Sequence, residues 1–406
     1  MASAAAAKQP DLPVDLMEEI LLHLNDVADL IRASAACTSF HRLISDGRFI
    51  RRFKSLHCPP VLGLLAGTYG RDEEIYFYPA KPPHRSAPAA RAFARAVDFS
   101  VTSLPEDPTH YWCVRDVRDG RVLLSRRFAR ATIFFVFEHL MVYDPLHCRQ
   151  VQIPPIPHDL LAAAGHGDDR CCQEFDPFLV PAATSDEDDL SFQVMCNALS
   201  KHKVETFLYS SVTMEWRRVA SSSITSFKSM EIPCLVERSY ACGCFYWVDY
   251  SEAVMLMLDM RKMKFSIVNL PTRSKPGGRV IVEVMENRVG LLILSEYTLD
   301  LYSKSLPDIS ISAKDWRHDH TTRLFDNYQW SFTGGVVEGY ALLYGVLRDE
   351  YRVWVESDRK KEKPNAHCFT VELETLLIEE LCVFKLDVRP DFLYASFPPP
   401  FATPSI

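Results

Sequence analysis

The residues best able to do chemistry lie in four short stretches: Cys171-Cys172, Cys242-Gly243-Cys244, His318-Asp319-His320 after Trp316, and GHGDD at 165–169. Adjacent cysteines and C-x-C lack the C-x2–4-C spacing by which two thiolates meet one tetrahedral zinc, and no second matching pair follows. Cys242 and Cys244 are expected on one face of a strand, packed as small hydrophobes. His318 and His320 could serve as a strand-borne ligand pair, with Asp319 orienting an imidazole. The expectation is instead a solvated loop. GHGDD has residues that a phosphoesterase loop would use, but no partner motif, and the acidic run Asp186 to Asp189 reads as a solvated turn. There is no G-x-S-x-G elbow, Walker loop, H-E-x-x-H or helix-opening G-x-G-x-x-G. No catalytic residue, metal ligand or cofactor is expected.

Whatever the chain does must then come from surfaces, and composition bounds which. Its 406 residues exceed the ~250–300 at which a single core stops growing. A small module plus a larger body is the expectation. With 48% hydrophobic and 24% charged residues and a formal net charge of −8, the chain is an ordinary globular one without the basic footprint of a nucleic-acid binder. Twelve cysteines are spread along it with no secretory apolar core ahead of them, which predicts reduced thiols and an intracellular protein of nucleus or cytoplasm. Residues 1–10, MASAAAAKQP, read as a disordered leader. The longest apolar stretch, ATIFFVFEHLMVY, contains Glu138 and His139 and falls short of the ~18–20 residues of a spanning helix, so no membrane association is expected.

Residues 11–57 have a helical pattern. Asp15 with Glu18 three residues on has the spacing of a reciprocal cap. Leu16, Ile20 and Leu24 follow at i, i+4 and i+8, with Leu21 widening the stripe. Asp26 can cap a second helix carrying Leu30, Ala33 and Cys37, and Phe40, Leu43, Ile44, Phe49 and Phe53 continue the pattern to His57. Three or four helices fit. A unit this small buries only ~60% of the surface its unfolded chain exposes, and its apolar residues cannot all point inward. Either the remaining chain or a partner covers the rest.

The stretch LPVDLMEEILLHLNDVADLIRASAACTSFHRLISDGRFIRRF resembles the F-box motif along its whole length. Leu12-Pro13, Asp15-Leu16, Glu19 to Leu21, Leu24, Asp29-Leu30, Arg32, Ala36-Cys37, Leu43-Ile44 and the closing Phe49 to Phe53 segment carry the likeness. Phe40 stands where that family often has Trp, keeping the aromatic filler without the indole N–H. The resemblance implies docking to the SKP adaptor of an SCF-type ubiquitin ligase, and through it to a cullin and RING scaffold. It implies that Leu12, Pro13, Leu16, Ile20, Leu21 and Leu24 supply much of the contact, with Leu30, Cys37 and Phe40 partly interface and partly core.

From about residue 60 to 392 the pattern changes to short β-rich runs separated by Pro, Gly, Asp and Ser clusters. A weak repeat links LMVYDPLHCRQVQIPP (140–155), ETFLYSSVTMEWRRVAS (205–221), VMLMLDMRKMKFSIVNLP (254–271), YTLDLYSKSL (297–306) and HCFTVELETLLIEEL (367–381). Each reads as a strand ending in a polar turn, in most cases followed by a returning strand. Two hairpins per unit, recurring every ~40–60 residues, fit four-stranded propeller blades, about six of them. The Pro/Ala-rich 79–92 and the charged SDRKKEKPN (357–365) are expected to be loops, and 393–406 a frayed Pro-rich tail.

The fold class predicted is a small all-α module followed by a large all-β domain. YDPLHCRQVQIPP, YSSVTMEWRRV and GCFYWV with LDMRKMKFSIVNLP resemble the F-box-associated, kelch- or propeller-like region of plant F-box proteins, although FTGG at 332–335 is the only kelch-like element. The resemblance implies a non-catalytic receptor that binds the SKP adaptor with its helices and an unknown substrate protein with its β domain. A propeller enzyme or ligand sensor capped by the helices, or an F-box scaffold outside ubiquitination, are the alternatives.

Overall fold

The structure is a computed structural model. It describes residues 13–24, 27–68, 75–97, 99, 110–128, 139–163, 174–181, 191–200, 203–223, 238–248, 254–271, 278–284, 288–305, 316–337, 339–357, 359, 362–386 and 388–397. The chain divides into two compact units, one of helices up to Pro60 together with Phe397, the other running from Val61 to Ser396.

The helical unit has four helices, α1 (Val14–Leu22), α2 (Val27–Ala36), α3 (Thr38–Ile44) and α4 (Gly47–Leu56). Asp15, expected to cap the first, lies inside its first turn. Pro13 takes the N-cap position, and its carbonyl accepts the N–H groups of Leu16 and Met17 at 3.1 Å. Side-chain caps occur later. Cys37 Sγ accepts the Phe40 N–H at 3.4 Å, so Cys37 starts α3 and does not continue α2, while Asp46 Oδ1 accepts from Arg48 N–H at 2.7 Å ahead of α4. Asp26 lies outside the described residues. Leu21, Leu22, Val27, Leu30, Ile44, Phe49, Phe53 and Phe397 form the core.

The second unit opens with β1 (Val61–Thr68), β2 (Ile75–Pro79) and α5 (Ala87–Ala96). The stretch expected to be a loop at 79–92 thus turns into a helix. Pro88 sits in its first turn, where a missing N–H costs nothing, its alanines favour helix, and Ala87, Ala90 and Phe93 are buried. Four-stranded antiparallel sheets follow: β3 (His110–Arg118) to β6 (Arg149–Ile153) through β4 (Arg121–Phe128) and β5 (Leu140–Asp144), then, after α6 (His158–Ala163), β7 (Glu174–Leu179), β8 (Gln193–Leu199), β9 (Lys203–Ser210) and β10 (Glu215–Ser223). The next is β11 (Arg238–Ala241), β12 (Cys244–Val248), β13 (Val254–Asp259) and β14 (Lys264–Asn269). Then come β15 (Arg279–Val284), β16 (Arg288–Leu294), β17 (Thr298–Ser305) and β18 (Arg317–Arg323). The last comprises β19 (Tyr328–Val337), β20 (Tyr340–Leu347), β21 (Asn365–Glu372) and β22 (Ile378–Lys385), with α7 (Arg348–Glu356) between β20 and β21. The charged stretch 357–365 follows α7 in the connection between β20 and β21, which pair antiparallel, so the hairpin expected there also carries a helix.

The final strand, β23 (Val388–Ala395), returns to pair with β1, in the order β2-β1-β23. Leu393 to Ala395, placed in the tail by the sequence, are therefore strand. The result is a six-bladed propeller whose ring is closed by its first and last strands. Strands β23, β3, β7, β11, β15 and β19 each form one edge of their blades, and neighbours such as β23 and β3, β3 and β7, or β15 and β19 approach one another. Six apolar clusters fill the six seams, each drawing on two adjacent sheets: Phe178 and Met195 with Phe245 and Trp247 in one, Leu292 and Leu301 with Trp330 and Phe369 in another.

The repeat visible in the sequence falls on the third strand of each of the five four-stranded blades, β5, β9, β13, β17 and β21. Cys148, Met214, Met263 and Leu376 close the turns after β5, β9, β13 and β21 with φ of 50°, 57°, 48° and 55°. A left-handed residue that is not glycine costs ~1–3 kcal/mol, and the residue opening each turn offsets it. Asp144 Oδ1 accepts from the Leu146 and His147 N–H groups at 3.1 and 3.2 Å, and Asp259 Oδ1 from Arg261 and Lys262 at 2.9 and 3.0 Å. Where Ser210 and Glu372 stand instead, their carbonyls accept the N–H of Met214 and Leu376 at 2.8 Å.

Candidate protein-interaction surfaces

In the helical unit the first helix is apolar on more than one side, and its partners choose which side is core. Leu21 and Leu22 point inward, 3% and 2% exposed, against α4. Arg52 on α4 pairs with Glu18 at 3.1 Å and Glu19 at 2.5 Å, and His57 Nε2 lies 2.7 Å from the Leu22 carbonyl. Held this way, α1 turns Leu16 and Ile20, one helical turn apart, to solvent at 52% and 57% exposure. Pro13 and Val14 are exposed beside them.

The nine residues expected to meet an adaptor therefore separate. Pro13, Leu16 and Ile20 share an open surface, Cys37 is exposed with its sulfur used as a cap, and Leu24 and Phe40 are half-buried against the core. Leu21 and Leu30 are core residues in this chain. Leu12 lies outside the described residues. Val14 was missed by sequence reasoning, because it falls off the i, i+4 stripe.

In the propeller unit, chemistry-bearing groups converge where β3, β7 and β11 come together. Arg238 is largely buried, its guanidinium 2.7 Å from Asp176, 3.4 Å from Asp116 and 4.5 Å from the Phe178 ring centroid. Asp176 also accepts Trp247 Nε1–H at 3.1 Å, and Asp116 accepts the N–H groups of Val117 and Leu179 at 3.0 and 2.9 Å. Burial alone would lower the Arg238 pKa, but the two carboxylates outweigh it and raise it. Every oxygen of both carboxylates is engaged, so the cluster fastens three blades and offers no free acid or base.

The other candidates disperse. Cys242 sits in the β11–β12 turn with φ 51°, so only Cys244 is a strand residue, against the expectation of one shared strand face. Burial pushes the Cys242 thiol up to about 12 and raises Cys244 as well. His318, Asp319 and His320 lie on β18, the outermost strand of its blade, and not in a loop. Asp319 turns to Arg288 and Ser303, while His318 Nε2 meets Thr321 Oγ1 at 3.0 Å. Residues 165–169, 171–172 and 186–189 lie outside the described residues. Among the described residues no three His, Cys, Asp or Glu side chains are grouped to hold a metal ion, and no helix is long and apolar enough to cross a membrane.

The propeller offers aromatic and cationic side chains at its surface, half-buried Tyr297 and Arg348 beside exposed Phe325. Where the β16–β17 and β18–β19 connections meet the start of α7, Arg348 stacks 4.6 Å from the Tyr297 ring centroid, held by the Tyr328 carbonyl at 3.0 Å and Glu296 at 3.5 Å. Phe325, 66% exposed, stands in the same group, its carbonyl accepting Trp330 Nε1–H at 2.8 Å. Alternating strand direction places these connections on the rim opposite the left-handed turns. A second exposed pair, Val212 and Met214, occupies one of those turns.

Residues 9–54 match the F-box-like family. No curated protein matches the chain. Among solved structures, the nidogen/laminin complex covers 82% of this chain and 97% of its own at 11% identity and a TM-score of 0.36. An oligogalacturonate lyase in complex with manganese covers 68% and 67% at 11% identity and a TM-score of 0.34. The β-propeller domain of the Trilobed protease from Pyrococcus furiosus covers 68% and 72% at 9% identity and a TM-score of 0.33. The chain thus consists of an F-box-like module of short helices followed by a six-bladed β-propeller.

Proposed function

We propose that this chain is the substrate receptor of an SCF-type ubiquitin ligase, working in the cytoplasm or nucleus. The observation that carries the reading is the open Leu16–Ile20 face of α1 within the F-box-like segment: two large apolar side chains more than half exposed, on a helix fastened from behind. An SKP adaptor would cover that face together with Pro13 and Val14, and Leu12 on the family's pattern. The propeller would hold a substrate protein on a rim, with Tyr297, Arg348 and Phe325 as anchors of the types that dominate interface energetics. The mechanism is proximity: substrate lysines held near a charged ubiquitin donor react at raised effective concentration, with no catalytic group from this chain.

Covering the half of Leu16 and Ile20 that remains exposed is worth roughly 1–1.5 kcal/mol each, and a buried carboxylate in their place adds a desolvation cost. Leu16→Asp/Ile20→Asp should therefore weaken binding of the full chain to a purified SKP adaptor at least about a hundredfold. Circular dichroism checks that the variant is folded. Undiminished binding by that variant would refute the reading. Reconstituted ubiquitin transfer with a cullin–RING scaffold then separates a ligase receptor from a scaffold.

A further inference from the structure

Among the described residues, the core of the helical unit includes one from far along the chain. Phe397 follows β23 after a single residue, yet it is 8% exposed among Leu21, Leu22, Leu30, Ile44, Phe49 and Phe53. Its ring meets Phe53 edge-on, at 6.1 Å between centroids and 70° between planes, and Lys54 Nζ lies 5.7 Å from its centroid. Phe53 in turn stacks on Phe49 at 6.2 Å and on His57 at 4.2 Å, and His57 reaches the Leu22 carbonyl. A line of contacts therefore runs from Phe397 through Phe53 and His57 to the back of α1, whose front carries Leu16 and Ile20. A unit of this size has little core to spare, and a phenylalanine buries ~150–250 Å².

We infer that Phe397 is a latch of the F-box-like module: the segment after β23 supplies a core residue without which α1 and α4 are not held in the geometry that presents Leu16 and Ile20. The docking half of this inference rests on the adaptor reading above, whereas the latch itself does not. One consequence is that losing the last ten residues disables docking although the propeller is intact.

Hydrogen–deuterium exchange resolved by peptide, on the full chain, tests it with Phe397→Ser, Phe397→Leu, a chain ending at Ser396 and a chain ending at Phe397. In Phe397→Ser and the chain ending at Ser396, the amides of α1 and α4 should exchange at least about tenfold faster, while those of β12 and β13 stay as in the wild type. Phe397→Leu and the chain ending at Phe397 should retain protection. Unchanged α1 and α4 in Phe397→Ser, an equal loss in β12 and β13, or a loss in the chain ending at Phe397 would each overturn the latch. Binding to an SKP adaptor should fall at least about tenfold in Phe397→Ser and recover in Phe397→Leu. Accelerated exchange with undiminished binding would overturn the docking half. A wild type that exchanges as expected but binds no adaptor leaves the latch standing and removes the adaptor reading.

Discussion

Removing the Arg238 guanidinium should cost the propeller more than any surface change. Its two carboxylates are not equally exposed to the loss. Asp116 keeps the Val117 and Leu179 N–H groups, whereas Asp176 keeps only Trp247 Nε1–H and loses its donor at 2.7 Å. Breaking a buried pair costs ~3–5 kcal/mol, and the lost stack on Phe178 adds ~0.5–2 kcal/mol. Arg238→Met fills part of the space, so a loss of ~3–5 kcal/mol is expected. The assay is urea unfolding followed by tryptophan fluorescence. All six tryptophans lie beyond residue 60, so the signal reports the propeller unit, with Trp247 at the site. Adding Asp176→Asn should restore at least ~2 kcal/mol, because the stranded charge, not the missing pair, makes up most of the cost. A deficit under ~1 kcal/mol, or a double variant no better than the single, would show that the cluster is not a fastening.

Three further outcomes follow from the same structure. His84 is buried, with Nδ1 accepting the Ser86 N–H at 3.1 Å and Nε2 beside Thr370 Oγ1 at 3.0 Å, and burial lowers its pKa. The unfolded chain therefore protonates first, and His84 contributes stability above pH ~6.5 that is lost as pH falls through the lowered folded value; urea midpoints of the wild type and His84→Asn should converge from pH 7.5 to 5, and a constant gap would refute the assignment. Gly63→Ala should destabilise the propeller by ~1–3 kcal/mol, since a Cβ there would strike the Tyr78 carbonyl and the Phe77 ring at the β1 closure, and an unchanged urea midpoint would contradict that fit. With its thiol pushed up to about 12, Cys242 should be alkylated at pH 8 about a thousandfold more slowly than a free thiol of pKa ~8.5, measured by peptide mass spectrometry against exposed Cys148; equal rates would argue against its burial.

What the sequence disclosed depended on whether the signal was local. The four helices, the third strands of the blades and their capped turns are each specified within about a dozen residues, and these were legible. Helix α5 was hidden by its own composition, because Pro and Ala between turn residues fit a loop as well as a helix whose first turn tolerates Pro88. Periodicity alone placed Leu16, Ile20, Leu21 and Leu24 on one stripe. It could not say that Leu21 faces the core and Leu16 the solvent, since that division comes from Arg52 and His57, more than thirty positions away. Phe397 is more distant still, and nothing in a proline-rich ending distinguishes a core residue from a frayed one. The Arg238 cluster joins positions 62 apart in sequence, on different blades, with one polar residue on each and no motif around any of them.

These non-local contacts also bear on the receptor reading proposed above. A propeller enzyme needs carboxylates or histidines that converge with an open valence. The convergent pair here, Asp116 and Asp176, is closed by an arginine, a tryptophan and two backbone amides. Glu205, fully buried, is closed by Lys203, Arg218 and Ser221, and Asp319 by Arg288, Arg317 and Ser303. In these clusters the polar groups that come together are spent on joining strands and blades. Large apolar and aromatic side chains stand exposed at the rims and on α1, among them Phe325, Val212, Met214, Leu16 and Ile20. Water is a poor partner for such groups and another protein a good one, which supports the receptor reading proposed above.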